Sequence, residues 1–133
     1  MRWLAVVLGS ALVVLSVTAC TSGKASKCEE AFTAAATSVA GVTSAEFDCN
    51  FGFGGGWRRG RVVVDAATRD DAVAVMEAVL RAMAASPGLE DSWSTPQEYA
   101  TENRTIVIAA NALGFSAVPT VGQVRARFGI TPR

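Results

Sequence analysis

Between Ala45 and Asp65 the sequence leaves the backbone little choice. Ala45, Phe47, Cys49, Phe51 and Phe53 alternate with Glu46, Asp48 and Asn50, the period of a strand with one buried face. Gly54-Gly55-Gly56 then reads as a turn, and Arg58 to Asp65 as the returning strand. A hairpin with one apolar face must be covered, so the rest of the chain has to supply a second layer. Two registers compete. A two-residue turn at Gly54-Gly55 sets Phe47 opposite Val62, Ala45 opposite Val64, and Asp48 across from Arg61 on the solvent side. A three-residue turn opposes Phe47 to Val63 and puts Arg61 beside Cys49 in the core. The first is preferred because it joins the two apolar faces.

Helical spacing supplies the covering layer. Ser26-Lys27-Cys28-Glu29 reads as a capping box, and Cys28, Phe32, Ala35 and Val39 follow toward Gly41, which predicts a helix over 27–40. Thr68 opens a second helix over 69–84, with Asp70 and Asp71 in the first turn where the helix dipole favours them. Its stripe is Val73, Met76, Leu80 and Met83, widened by Val75 and Val79, while Glu77 and Arg81 pair outside. Residues 92–100 read as an edge strand because Pro96 interrupts them. Arg104 to Ala110 makes a better strand, and Thr120-Val121-Gly122-Gln123 opens a last helix that runs to Phe128 and closes at Gly129. The order α-ββ-α-ββ-α predicts one α+β domain over 27–133. It is a two-layer α/β sandwich, with a mostly antiparallel sheet and helices on one face.

The first twenty residues read differently. Met1-Arg2 is a positive start, and Trp3 to Val17 is an uncharged, mostly apolar run. Its length suits the core of a signal peptide and falls short of the roughly 20 residues a membrane-spanning helix needs. The run ends in Val17-Thr18-Ala19-Cys20, an aliphatic residue and two small residues before a cysteine. This resembles the lipobox of bacterial lipoproteins. More broadly the chain resembles small predicted lipoproteins of Actinobacteria, rich in Ala, Val, Gly and Arg. The resemblance implies a signal peptide over 1–19, a diacylglycerol on Cys20, and a lipid-anchored protein on the outer face of the cytoplasmic membrane. It implies an address and no activity. Thr21-Ser22-Gly23-Lys24-Ala25-Ser26 is small and polar, so 20–26 are expected to form the lipidated tether.

Composition removes whole classes of chemistry. The chain has no histidine, so Ser-His-Asp and Cys-His catalysis and histidine metal sites are out. Twelve basic residues balance twelve acidic ones, and a nucleic-acid partner is not expected of so neutral a chain. Of three cysteines, Cys20 is assigned to lipid. Cys28 and Cys49 lie on apolar faces of the first helix and first strand. In an exported protein they are expected to form a disulfide tying helix to sheet. The alternative is a reactive or metal-binding thiol pair, but it lacks C-x-x-C spacing and nearby ligands. Val42-Thr43-Ser44-Ala45 after Gly41 resembles a turn in ferredoxin-like metal-binding domains, which ligate through a C-x-x-C missing here, so no metal site is expected.

The remaining features are weaker. Phe51 to Trp57 is glycine-rich but joins two strands, so it reads as a hairpin tip and not a phosphate loop. Phe53 and Trp57 would leave an apolar edge there. Arg58, Arg59 and Arg61, with Trp57 beside them, form the densest basic cluster, suited to an anionic surface such as lipid headgroups. The plainer reading is a solvated sheet face with Arg61 paired to Asp48. No catalytic constellation and no cofactor are expected. The leading expectation is a non-enzymatic lipoprotein that binds or supports another envelope component, an envelope protein among them. The alternative is a small carrier holding an apolar or lipid ligand between sheet and helices, motivated by Phe47, Phe51, Met76, Met83 and Ile108. An enzyme would need carboxylates gathered from separate elements into a cleft.

Overall fold

A computed structural model of the chain describes residues 22–133. The expected signal peptide, the lipobox-like run and Cys20 lie outside those residues. The elements are α1 (Ser22–Thr37), β1 (Val42–Asn50), β2 (Trp57–Val64), α2 (Arg69–Ala85), β3 (Glu98–Ala100), β4 (Val107–Ile108) and α3 (Val121–Phe128), with short 3-10 turns at Phe53–Gly55 and Ala110–Leu113. The order α-ββ-α-ββ-α is the expected one. The sheet runs β1-β2-β3-β4 and is mixed: β1/β2 and β3/β4 are antiparallel, but β2 and β3 are parallel. The parallel pairing follows from the connection, because α2 carries the chain back along the sheet before β3 begins.

One face of the sheet and all three helices share a single core. Val62, Val64, Tyr99 and Ile108 from the strands meet Cys28 and Phe32 of α1, Met76, Val79, Leu80 and Met83 of α2, and Val121 and Val124 of α3. The stripe on α2 is rotated from the expected one. Ala72 and Val79 are fully buried, whereas Val73 and Val75 are half-buried. Thr68 caps α2 by accepting from Asp71 N at 3.1 Å, and Glu77 pairs with Arg81 at 3.7 Å. Thr120 and Gln123 form a full capping box at the start of α3, and Gly129 closes it with a left-handed backbone.

Several expectations need correction. The first helix starts at Ser22, so much of the expected tether is helical and Ser26 is no cap. Ala25, one turn before Cys28, already packs on the core, and no proline from Ser22 to Lys27 stops the helix. Neither expected hairpin register is found. Phe47 faces Gly60, Ala45 faces Val62, Glu46 faces Arg61 and Asp48 faces Arg59. The connection is long, with Asn50 and Trp57 the last pair, because Gly54, Gly55 and Gly56 all take positive φ. Moving the register by two residues keeps the paired side chains from Ala45 to Cys49 on their expected faces. The second hairpin is short: Ser94 makes only a bridge to Thr120, and β4 is two residues long. Thr95 is drawn away to Pro119 O, and Arg104 sits in a turn at φ 59°.

Arg125 joins the last helix to the end of α2. Its Nε donates to Ala84 O at 2.8 Å, and Nη2 donates to Ser86 O and Leu89 O at 2.7 and 2.9 Å. These carbonyls include ones a helix C-terminus leaves without intrahelical partners. Nη1 completes the set by donating to Asp91 Oδ1 at 2.6 Å.

Candidate functional site

Helix α1 and strand β1 run antiparallel, and their contacts form a ladder. Phe32 stacks on Phe47 with ring centroids 4.9 Å apart. One turn toward the helix N-terminus, Cys28 is bonded to Cys49, with Cα atoms 6.2 Å apart. One turn further, the Lys24 ammonium lies 4.6 Å from the centre of the Phe51 ring. The spacing has a simple cause. Four helical residues rise about 6 Å and two strand residues about 6.6 Å, so same-face residues keep step along the pair. The start of α1 and the β1–β2 hairpin tip therefore share one end of the molecule.

That end carries the most exposed aromatic of the domain. The expected inward position of Phe53 is not found. The chain leaves the sheet after Asn50, and Phe53 stands fully out in solvent at the tip. Asn50 Oδ1 accepts from Gly52 N at 2.8 Å, which turns the chain. A Cβ on Gly56 would overlap Asn50 O, so only glycine fits there.

The basic cluster is split by the period of β2. Trp57, Arg59 and Arg61 point to the outer face, as expected, but Arg58 shares the inward parity of Val62 and Val64. Its guanidinium lies over Phe51 at 4.0 Å and near Trp93 at 5.9 Å, and Nη1 donates to Gly55 O at 2.7 Å. Arg58 and Lys24 thus converge on one ring. Neither makes an ion pair among the described residues.

Acids and bases alternate on the outer face. Arg59 stacks over Trp57 at 4.5 Å, while Trp57 Nε1 donates to Asp48 Oδ2 at 2.9 Å. Arg61 reaches Glu98 at 3.9 Å and not Asp48, because the register sets Asp48 beside Arg59. Arg104 binds Glu98 more closely, through two bonds of 2.7 and 3.2 Å. The Arg104 hydrogen bond, reinforced by the charges of Arg104 and Arg61, holds the Glu98 carboxyl below its ordinary pKa against a smaller opposing effect of burial. Glu46, Asp48, Arg59, Gly60, Arg61, Gln97 and Glu98 border an open recess of about 670 Å³ on this face.

Sequence reasoning missed three contributors. Gln97 spans the β2–β3 edge, accepting from Gly60 N at 2.8 Å and donating to Arg58 O at 3.4 Å. Trp93 packs beside Phe51 and Phe32. Arg125 carries no motif that marks it. Strand parity alone is enough to separate Arg58 from Arg59 and Arg61.

Other recesses lie along the sheet edge near Asp65, Thr101 and Thr105, and around Glu98, Glu102 and Arg104. Between sheet and helices, Tyr99, Met76, Met83 and Ile108 are buried in the common core. Burial there also raises the Tyr99 phenol pKa far above its ordinary value, so it stays neutral. Among the described residues no three His, Cys, Asp or Glu side chains are grouped to hold a metal ion. No described helix is long and apolar enough to cross a membrane. Models of known protein families, curated proteins and solved structures give no match to this chain.

Proposed function

We infer that the chain is an exported lipoprotein, held by a lipid on Cys20 at the outer face of the cytoplasmic membrane. Its domain is a non-enzymatic module that binds or supports another envelope component. The observation that carries the reading is the fate of the cysteines. Cys28 and Cys49 are bonded to each other within the core, as suits a compartment where disulfides persist. That leaves Cys20, at the end of the apolar run, as the thiol for acylation. The outer sheet face supports a binding role. Its side chains are fixed by ion pairs and by the stacked Trp57–Arg59 pair, which presents a preorganised polar surface.

Metabolic labelling with a clickable fatty acid tests the anchor. The wild-type chain takes the label and fractionates with membranes, and Cys20→Ala loses both properties. Label retained by Cys20→Ala, or absent from the wild type, refutes it.

A further inference from the structure

We propose that the Phe53 hairpin tip is a second membrane contact, which seats the domain end-on against the bilayer surface. The ladder between α1 and β1 carries the argument. Its rungs pair residues 32 with 47, 28 with 49 and 24 with 51. Each step goes back four residues on the helix and forward two on the strand. Beyond the last rung lie the first helical residue, Ser22, on one side and the hairpin tip with Phe53 on the other. Only Thr21 separates Cys20 from Ser22, a span of at most about 7 Å. A lipid on Cys20 therefore brings the bilayer to the end of the domain that carries Phe53.

The chemistry of that end fits a bilayer surface. Phe53 is fully solvated at the tip, and Trp57 beside it is two-fifths exposed. Aromatic side chains with polar neighbours settle at the boundary between headgroups and acyl chains. Behind the tip, Lys24 and Arg58 crowd their charges onto the Phe51 ring with no carboxylate paired to either among the described residues. The Nε of Arg58 is buried and unpartnered as well. Two unneutralised cations set behind an exposed aromatic match a layer of lipid phosphates above hydrocarbon. Arg59 and Arg61 contribute less, since Asp48 and Glu98 lie beside them. The proposal rests on the anchor only for which membrane is met. The contact itself belongs to the tip.

The test uses the mature chain with Cys20→Ser, so that no acyl chain contributes, and phosphatidylcholine vesicles with or without 30% phosphatidylglycerol. That fraction is an experimental choice, roughly that of an anionic bacterial surface. The protein is expected to partition to the anionic vesicles at low ionic strength and to be released by salt. Phe53→Ser lowers that partitioning about tenfold, as loss of one buried aromatic does. Lys24→Gln lowers it less, and Val107→Ser, at an exposed apolar residue on the strand end opposite the tip, leaves it unchanged. A second readout follows Phe53→Trp in the lipidated protein. Its added emission is quenched by brominated lipids, and that of Val107→Trp is not. Binding indifferent to Phe53, or equal bromolipid quenching at positions 53 and 107, overturns the proposal. Failure of Cys20 acylation alone does not, because the first assay works without the lipid.

Discussion

The ring of Phe47 lies across Gly60 on the neighbouring strand, where any Cβ would overlap it. This contact fixes the hairpin register, since Gly60 is where β2 lacks a side chain and Phe47 needs the space for its stack on Phe32. Gly60→Val is expected to cost about 1–3 kcal/mol by forcing the ring aside. A lowered midpoint in urea, with an unchanged slope, checks it.

Cys28 and Cys49 close a loop of 21 residues in sequence, for which chain-entropy arguments give about 3 kcal/mol of stabilisation. The double change Cys28→Ser with Cys49→Ser should lower the melting temperature, and reductant should then have no further effect. Thiol titration of the unreduced mature protein should find no reactive cysteine. Two titratable thiols per chain contradict the bridge and reopen a redox or metal role for the pair.

Arg125 satisfies three main-chain carbonyls around the end of α2 while its own side chain is only 11% exposed. Arg125→Met keeps the apolar stem and removes every donor. Leaving these acceptors unpaired is expected to cost about 3 kcal/mol. Arg127→Met nearby is the control and should cost far less, because Arg127 makes a single exposed bond, to Leu113 O.

The Glu98–Arg104 pair gives a pH dependence. The folded-state pKa of Glu98 is lowered from its ordinary 4.5, chiefly by the Arg104 hydrogen bond. A lowered acid pKa means stability that is present above pH 4.5 and is lost as pH falls through the lower folded value. Glu98→Gln should lower the plateau above pH 4.5 slightly and converge with the wild type in acid, which flattens the acid limb of a stability–pH curve. The effect is small because the pair is exposed to solvent. An acid limb unchanged by the substitution contradicts the assignment.

Face assignment was legible in the sequence, and register was not. Period two told which of Glu46, Phe47, Asp48 and Cys49 point inward, because each strand residue reports only its parity. Register depended on how many residues the glycine triplet and its neighbours would spend in the turn, and on Phe47 finding Gly60, a contact 13 residues away. The expected Asp48–Arg61 pairing failed for that reason. The capping signal at Ser26 misplaced the start of α1 because local propensity could not see Ala25 packing on a core that forms only when β1 arrives. The parallel β2–β3 pairing was hidden likewise, since strand polarity is set by how α2 crosses the sheet. The Cys28–Cys49 pair was legible because both residues fell on apolar faces of adjacent elements. Phe53 was legible as an apolar edge of the hairpin tip, but Lys24 beside Phe51 was not, because that rung depends on a helix start the sequence misplaced.

Mass spectrometry of the N-terminal peptide from membrane-extracted protein tests the central claim most directly. The account predicts a chain that begins at Cys20 and carries a diacylglyceryl group on its sulfur. A mature chain that begins elsewhere, or that begins at Cys20 with a free thiol, contradicts it.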